Sequence, residues 1–132
     1  MQITEKLIKP LTETKYLNAD NVDRYRCIMR IFFDNYEKLH YWMYQEDVYQ
    51  EMIQNSYFAD YRIEQCQQDL AMLTEWKNLN TIQDTRKVSS IEEFKNKKFR
   101  YQMSEYSVEI ERLVLRLENL QIEGASLEPT LL

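Results

Sequence analysis

IEQCQQDLAMLTEWKNL, residues 63–79, is followed by TIQDT (81–85) and, after an intervening segment, by KFRYQM (98–103). In the first stretch Ile63, Cys66, Leu70, Leu73 and Trp76 recur at helical spacing and mark one buried face. Leu79 falls in the turn that follows. In the last stretch Phe99, Tyr101 and Met103 alternate with Lys98, Arg100 and Gln102, the period of a strand with one face buried. A helix over about 63–79 leading into a two-stranded ribbon, Thr81–Thr85 returning through Lys98–Met103, is therefore predicted. The connection 86–97 is long for a hairpin. Ser90-Ile91-Glu92-Glu93 within it is a capping-box pattern and predicts a helical turn there.

Upstream, Asp20 is a good N-cap with Asp23 in the first turn. The helix it opens runs to about Leu39, with Val22, Tyr25, Met29, Phe32, Phe33, Tyr36 and Leu39 on its apolar face. Arg24, Arg26, Arg30, Asp34 and Glu37 populate much of the rest. His40–Tyr44 suits a short strand, and Gln45–Gln54 returns to helical spacing through Val48, Met52 and Ile53. Asn55–Asp60 is turn-like, and Asp60 is placed to cap the next helix. Met1–Ala19 is mixed in character, interrupted by Pro10, and reads as an arm with Leu7, Ile8, Leu11, Tyr16 and Leu17 as apolar anchors.

A last helix starts near Ser104. Met103, Tyr106, Ile110, Leu113, Leu117 and Leu120 alternate at spacings of three and four, a heptad seam that Val114 and Leu115 widen. Gly124, the single glycine, is expected to end this helix. The closing Glu128-Pro129-Thr130-Leu131-Leu132 begins a new element, as in a piece of a longer protein. Three helices, a short strand, a ribbon and a further helix form the order of a winged-helix domain. The expected fold class is mainly α with a small β-ribbon: an arm over 1–19, a winged-helix domain over 20–104, and a long C-terminal helix with the start of a following helical region over 105–132.

The composition excludes several functions. A net charge of −5 disfavours charge-driven nucleic-acid binding by the whole domain. One glycine leaves no room for phosphate-cradling loops, which need several. His40, the one histidine, has no ligand-spaced His or Cys nearby. The acid pairs Glu46/Asp47 and Glu92/Glu93 are adjacent, so each member points a different way on a helix. No enzyme activity, cofactor, metal or small-molecule substrate is expected. Cys27 and Cys66 both fall on apolar stripes and read as reduced core thiols. With no membrane-length apolar run and no signal-peptide core in Met1–Pro10, a cytoplasmic protein without a membrane anchor is expected.

What remains is binding. Between Asp84 and Arg100, six basic residues (Arg86, Lys87, Lys95, Lys97, Lys98, Arg100) face three acids (Asp84, Glu92, Glu93). Such a wing has the charge for non-specific phosphate contacts, though a solvated edge that discourages sheet pairing is the plainer reading. The helix that would enter a groove carries Arg62 and Lys77 against Glu64, Asp69 and Glu75. Gln65, Gln67 and Gln68 have base-reading chemistry, but Glu64 and Asp69 beside them would face phosphates. The aromatics Phe32, Phe33, Tyr36, Tyr41, Trp42 and Tyr44 read first as core and only then as interface. The seam needs a cover, so Tyr106, Ile110, Leu113, Leu117 and Leu120 are the expected dimer or partner interface.

Three stretches carry a resemblance: Leu17-Asn18-Ala19-Asp20-Asn21-Val22-Asp23-Arg24-Tyr25-Arg26, Gln65-Cys66-Gln67-Gln68-Asp69-Leu70, and Phe99-Arg100-Tyr101-Gln102-Met103-Ser104-Glu105-Tyr106. They resemble the N-terminal part of the kleisin-like JetA subunits of Wadjet bacterial anti-plasmid systems. The resemblance implies a MukF-like kleisin whose N-terminal winged helix dimerises. The helices that follow would engage the SMC-type ATPase and the KITE-like subunit of a DNA loop-extruding plasmid-defence complex. The alternative from another class is a winged-helix transcription regulator that binds DNA.

Overall fold

A computed structural model describes residues 1–83 and 99–131, with side chains through residue 120. The chain is mainly helical with a small three-stranded antiparallel sheet. In order, the elements are α1 (Glu5–Ile8), a 3-10 turn (Thr12–Leu17), α2 (Val22–Glu37), β1 (Met43–Tyr44), α3 (Gln45–Ile53), a second 3-10 turn (Ser56–Phe58), α4 (Ile63–Glu75), β2 (Leu79–Gln83), β3 (Phe99–Met103) and α5 (Glu105–Leu131). The sheet order is β1-β3-β2, with Met43 opposite Tyr101 and Leu79 opposite Met103.

α2 forms the spine of the core. Tyr25, Ile28, Met29, Phe32 and Phe33 are all buried, at the spacing that puts them on one helical face. Val48 and Met52 of α3, Cys66, Leu70 and Leu73 of α4, and Leu79 and Met103 of the sheet complete the cluster. These side chains are each worth about 1.5–3 kcal/mol of burial, so the helices owe their stability mainly to this shared face.

Several boundaries differ from expectation, each for a local reason. The N-cap of α2 is Asn21 rather than Asp20. Asn21 takes a left-handed conformation (φ 58°), and its carbonyl accepts from the Arg24 and Tyr25 N–H groups at 3.0 and 3.2 Å. α2 and α4 both stop earlier than their apolar spacing suggests, because Leu39 and Lys77 turn left-handed (φ 66° each). His40 N–H then reaches back to the Asn35 carbonyl, and Asn78 N–H to that of Leu73, both at 2.8 Å. That reversal at Lys77 puts Leu79 in β2, buried, instead of in a turn. Asp60 does not cap α4: the Gln65 side-chain oxygen accepts from the Arg62 N–H at 2.9 Å. The first strand is only Met43–Tyr44, and His40 is exposed before it.

Cys66 is buried as expected, and burial pushes its thiol up to about 11. Cys27 is not a core thiol but exposed, because its neighbour Ile28, a hundred degrees round the helix, takes the core side. In β3 the alternation is incomplete: Phe99, at the far end of the ribbon from Met103, is exposed. Gly124 lies inside α5 rather than ending it; an interior glycine costs about 1 kcal/mol without interrupting the hydrogen-bond ladder. The capping box at Ser90–Glu93 lies outside the described residues.

Candidate protein-interaction surface

α5 is positioned by its first turn. Ser104 caps it, its hydroxyl oxygen accepting from the Ser107 N–H at 3.3 Å, while the Ser104 N–H donates to the Asn78 carbonyl at 3.0 Å. The buried Asn78 amide donates to the Glu13 carbonyl at 2.8 Å and to the Ser107 hydroxyl at 3.0 Å. One side chain thereby ties the N-terminal 3-10 turn, the α4–β2 corner and α5 together.

The face of α5 that meets the domain is mixed. Ser107, Val108, Glu111 and Val114 are buried on it, with Glu118 one further turn along. Glu111, only 1% exposed, accepts from the Tyr16 hydroxyl at 2.5 Å and from Arg30 Nε at 3.1 Å. Arg30 also pairs with Glu118, and Arg26 stands 3.6 Å from the same carboxylate. Hydrogen bonding to Glu118 and Glu111 holds the Arg30 guanidinium above its usual range. Its partner effect holds the Glu118 carboxyl below the usual carboxylate range. A smaller carboxylate–arginine–tyrosine cluster fixes α4: the buried Asp69 accepts from Arg24 Nε and Nη2 at 2.9 and 2.7 Å and from the Tyr61 hydroxyl at 2.7 Å.

Burial, reinforced by the neighbouring carboxylates, raises both the Tyr16 and Tyr61 phenols. Unfolded tyrosine ionises near its ordinary value of 10.0, while the folded chain keeps these protons to higher pH. The native state then binds more protons, so stability is intact below pH 10 and falls as pH rises beyond it. Thermal unfolding followed from pH 8 to 11.5, with phenolate absorbance recorded alongside, is expected to show the midpoint falling above about pH 10. Complete ionisation of all tyrosines in a still-folded chain would refute this.

With the inner face occupied, the apolar stripe of α5 is left outside. Tyr106, Leu113, Leu117 and Leu120 are 46, 52, 47 and 56% exposed, and Ile110 alone of the expected interface is half-buried against the core. Each stripe residue from Tyr106 to Leu117 stands one position before an inward one (Ser107, Glu111, Val114, Glu118), about 100° round the axis. Val114 therefore belongs to the inner face and does not widen the seam. The arm meets this surface at its start: Lys9 Nζ lies 5.4 Å from the Tyr106 ring centroid. Leu7, Ile8 and Leu11 are exposed instead of anchored, since the four-residue α1 buries nothing, whereas Tyr16 is fully buried and Leu17 packs on the core.

The nucleic-acid candidates fare differently. Arg86, Lys87, Lys95, Lys97 and Lys98 lie outside the described residues. Arg100 is half-buried, its guanidinium carbon 5.2 Å from the Trp42 ring centroid, which withdraws it from the solvent edge. Asp69 does not face a groove, because Arg24 and Tyr61 hold it inside. The exposed face of α4 then shows Arg62, Glu64, Gln67, Gln68 and Glu75, with no net positive charge. Of the aromatics, Phe32 and Phe33 are core, while Tyr41 is exposed and meets Tyr36 edge-on.

The pairing of α2 with α5 was not anticipated. Its signal was present: Arg26 and Arg30 share a face by a spacing of four, Glu111 and Glu118 by a spacing of seven. Among the described residues no three His, Cys, Asp or Glu side chains are grouped to hold a metal ion, and no helix is long and apolar enough to cross a membrane. A family model described as "Protein of unknown function (DUF2397)" matches residues 14–132. No curated protein and no solved structure matches the chain.

Proposed function

The chain belongs to the DUF2397 family of unknown function, and from its own surface and its sequence resemblance we propose that it is a non-catalytic protein-interaction and dimerisation module. In this reading it is a winged-helix domain followed by a C-terminal helix, the N-terminal part of a kleisin-like subunit. That subunit serves, in the cytoplasm, an SMC-type DNA loop-extruding complex for plasmid defence. Its partners are a second copy of the chain, the SMC-type ATPase and the KITE-like subunit. The winged-helix reading is supported by the order α2-β1-α3-α4-β2-β3-α5 and by the β1-β3-β2 sheet. The kleisin reading is supported by the resemblance of the stretches at 17–26, 65–70 and 99–106.

The observation that carries the interaction reading is the stripe Tyr106, Leu113, Leu117 and Leu120, exposed on a helix whose other side is already clamped by Arg30. Four large side chains near half-exposure in one line are the kind of apolar surface that marks an interface. A second copy covers it most economically, since an isologous contact repeats the same stripe against itself. Light scattering over a concentration series is expected to give a dimer. Leu113→Asp with Leu117→Asp is expected to give a folded monomer, because both side chains are solvent-facing in the single chain. A double variant that unfolds, or that remains dimeric, would sink the assignment.

One observation favours a second reading, a DNA-binding regulator. Withdrawing Asp69 into the interior removes one of the two acids beside Gln67 and Gln68, both exposed on α4. Sequence-specific binding at physiological salt that drops on Gln67→Ala or Gln68→Ala would establish it.

A further inference from the structure

Between the end of α2, β3 and the first two turns of α5 lies a cleft of about 540 Å³. It is separate from the apolar stripe: Glu105, Val108, Glu109 and Arg112 recur at spacings of three and four and form a third face of α5. Tyr36 and Tyr41 line it as an edge-to-face pair, their ring centroids 5.2 Å apart and their planes at 64°. Met103 adds a polarizable thioether. Of the charges, Arg112 is spent on Glu109 at 2.7 Å, while Glu105 makes no ion pair among the described residues. The lining therefore presents π density and one uncompensated carboxylate.

The geometry points to a binding site for an arginine side chain presented by a different, basic protein. A cation is the ligand that a ring face and a carboxylate both attract. An anion would meet the Glu105 charge, and a purely apolar group would strip water from that carboxylate without replacing it. Arginine suits the cleft better than lysine, because a planar, weakly hydrated guanidinium can stack on a tyrosine while its fork reaches a carboxylate. The partner is a basic protein because a chain with a net charge of −5 draws in positive charge at long range, and a cationic side chain is what the cleft takes. The site stands whether or not the stripe on α5 dimerises.

The test is an NMR titration of the full chain with the peptide acetyl-Gly-Arg-Gly-Arg-Gly-amide. The same peptide with citrulline for arginine, equal in shape and uncharged, is the control. Saturable shifts of the Met103 methyl and the Tyr36 and Tyr41 rings are expected with the arginine peptide and not with the control. Tyr41→Ala and Glu105→Gln, both at exposed positions, are each expected to weaken binding by roughly two- to fivefold. Equal shifts with the citrulline peptide, shifts centred elsewhere, or affinity unchanged in both variants would overturn the proposal. Concentration-dependent shifts of these same groups that persist in the Leu113→Asp/Leu117→Asp variant would assign the cleft to a second copy and overturn it as well.

Discussion

Replacing Asp69 with alanine is expected to cost about 3–5 kcal/mol, the largest effect of any single polar substitution among the described residues. The Asp69 carboxylate is 1% exposed and accepts three hydrogen bonds, two from Arg24 and one from Tyr61. Alanine leaves the Arg24 guanidinium, itself only 18% exposed, without its counter-ion, and leaves the Tyr61 hydroxyl without an acceptor. An uncompensated cation in a half-dry site is what makes the loss large, more than the worth of the pair itself. Against a typical total stability of about 5–15 kcal/mol this is a large fraction. Urea unfolding should show the midpoint lowered by roughly 2 M at an unchanged slope. A loss below about 1 kcal/mol would place the pair with ordinary surface salt bridges. Removing both charges together, as Arg24→Met with Asp69→Leu, is expected to restore much of the stability, since no charge is left unpaired and only the Tyr61 hydroxyl loses its acceptor.

Glu111→Ala is expected to cost less, about 2–3 kcal/mol, and to act on a different part of the molecule. Its partner Arg30 is 28% exposed and keeps Glu118, so the stranded charge is partly rehydrated and partly re-paired. Tyr16, fully buried, loses its acceptor. Because Glu111 is the central contact of α5 with α2 and the N-terminal 3-10 turn, the loss should be local. Hydrogen exchange is expected to quicken along α5 while the amides of α2 and α4 keep their protection. Uniform acceleration across all three helices would show that α5 unfolds only with the domain. The same variant bears on dimerisation, because the stripe from Tyr106 to Leu120 is presented only as long as α5 is held in place.

Much of this arrangement was legible in the residues. The apolar spacing of Tyr25, Met29, Phe32 and Phe33 located α2, and that of Cys66, Leu70 and Leu73 located α4, because each set has a single face to bury. The ribbon emerged from alternation in 99–103, and the start of α5 from Ser104. The seam of Tyr106, Ile110, Leu113, Leu117 and Leu120 reads as an apolar face in need of a cover; four of the five stand exposed and Ile110 packs on the core. Helix ends were less legible. Leu39 and Lys77 have no local chemistry that announces a left-handed turn, and only the chain reversal that tertiary packing requires makes them adopt it. The charged residues were least legible: Asp69 reads as a phosphate-facing acid, and Arg24 and Arg30 are placed only off the apolar face of α2, yet all three lie in buried or half-buried ion pairs.

The sequence by itself determined which segments are helices and strands and which apolar faces must be covered. Apolar periodicity is a local property, set by the order of side chains that gain from leaving water. Only the tertiary structure decided which charges are structural and which face of α5 is free. Arg24 meets Asp69 across 45 residues and Arg30 meets Glu111 across 81. Spacing within a helix marks which charges share a face, but it does not name the helix those charges will meet. Once those pairs form, the polar side of α5 is consumed within the domain, and its apolar side is the one left facing outward.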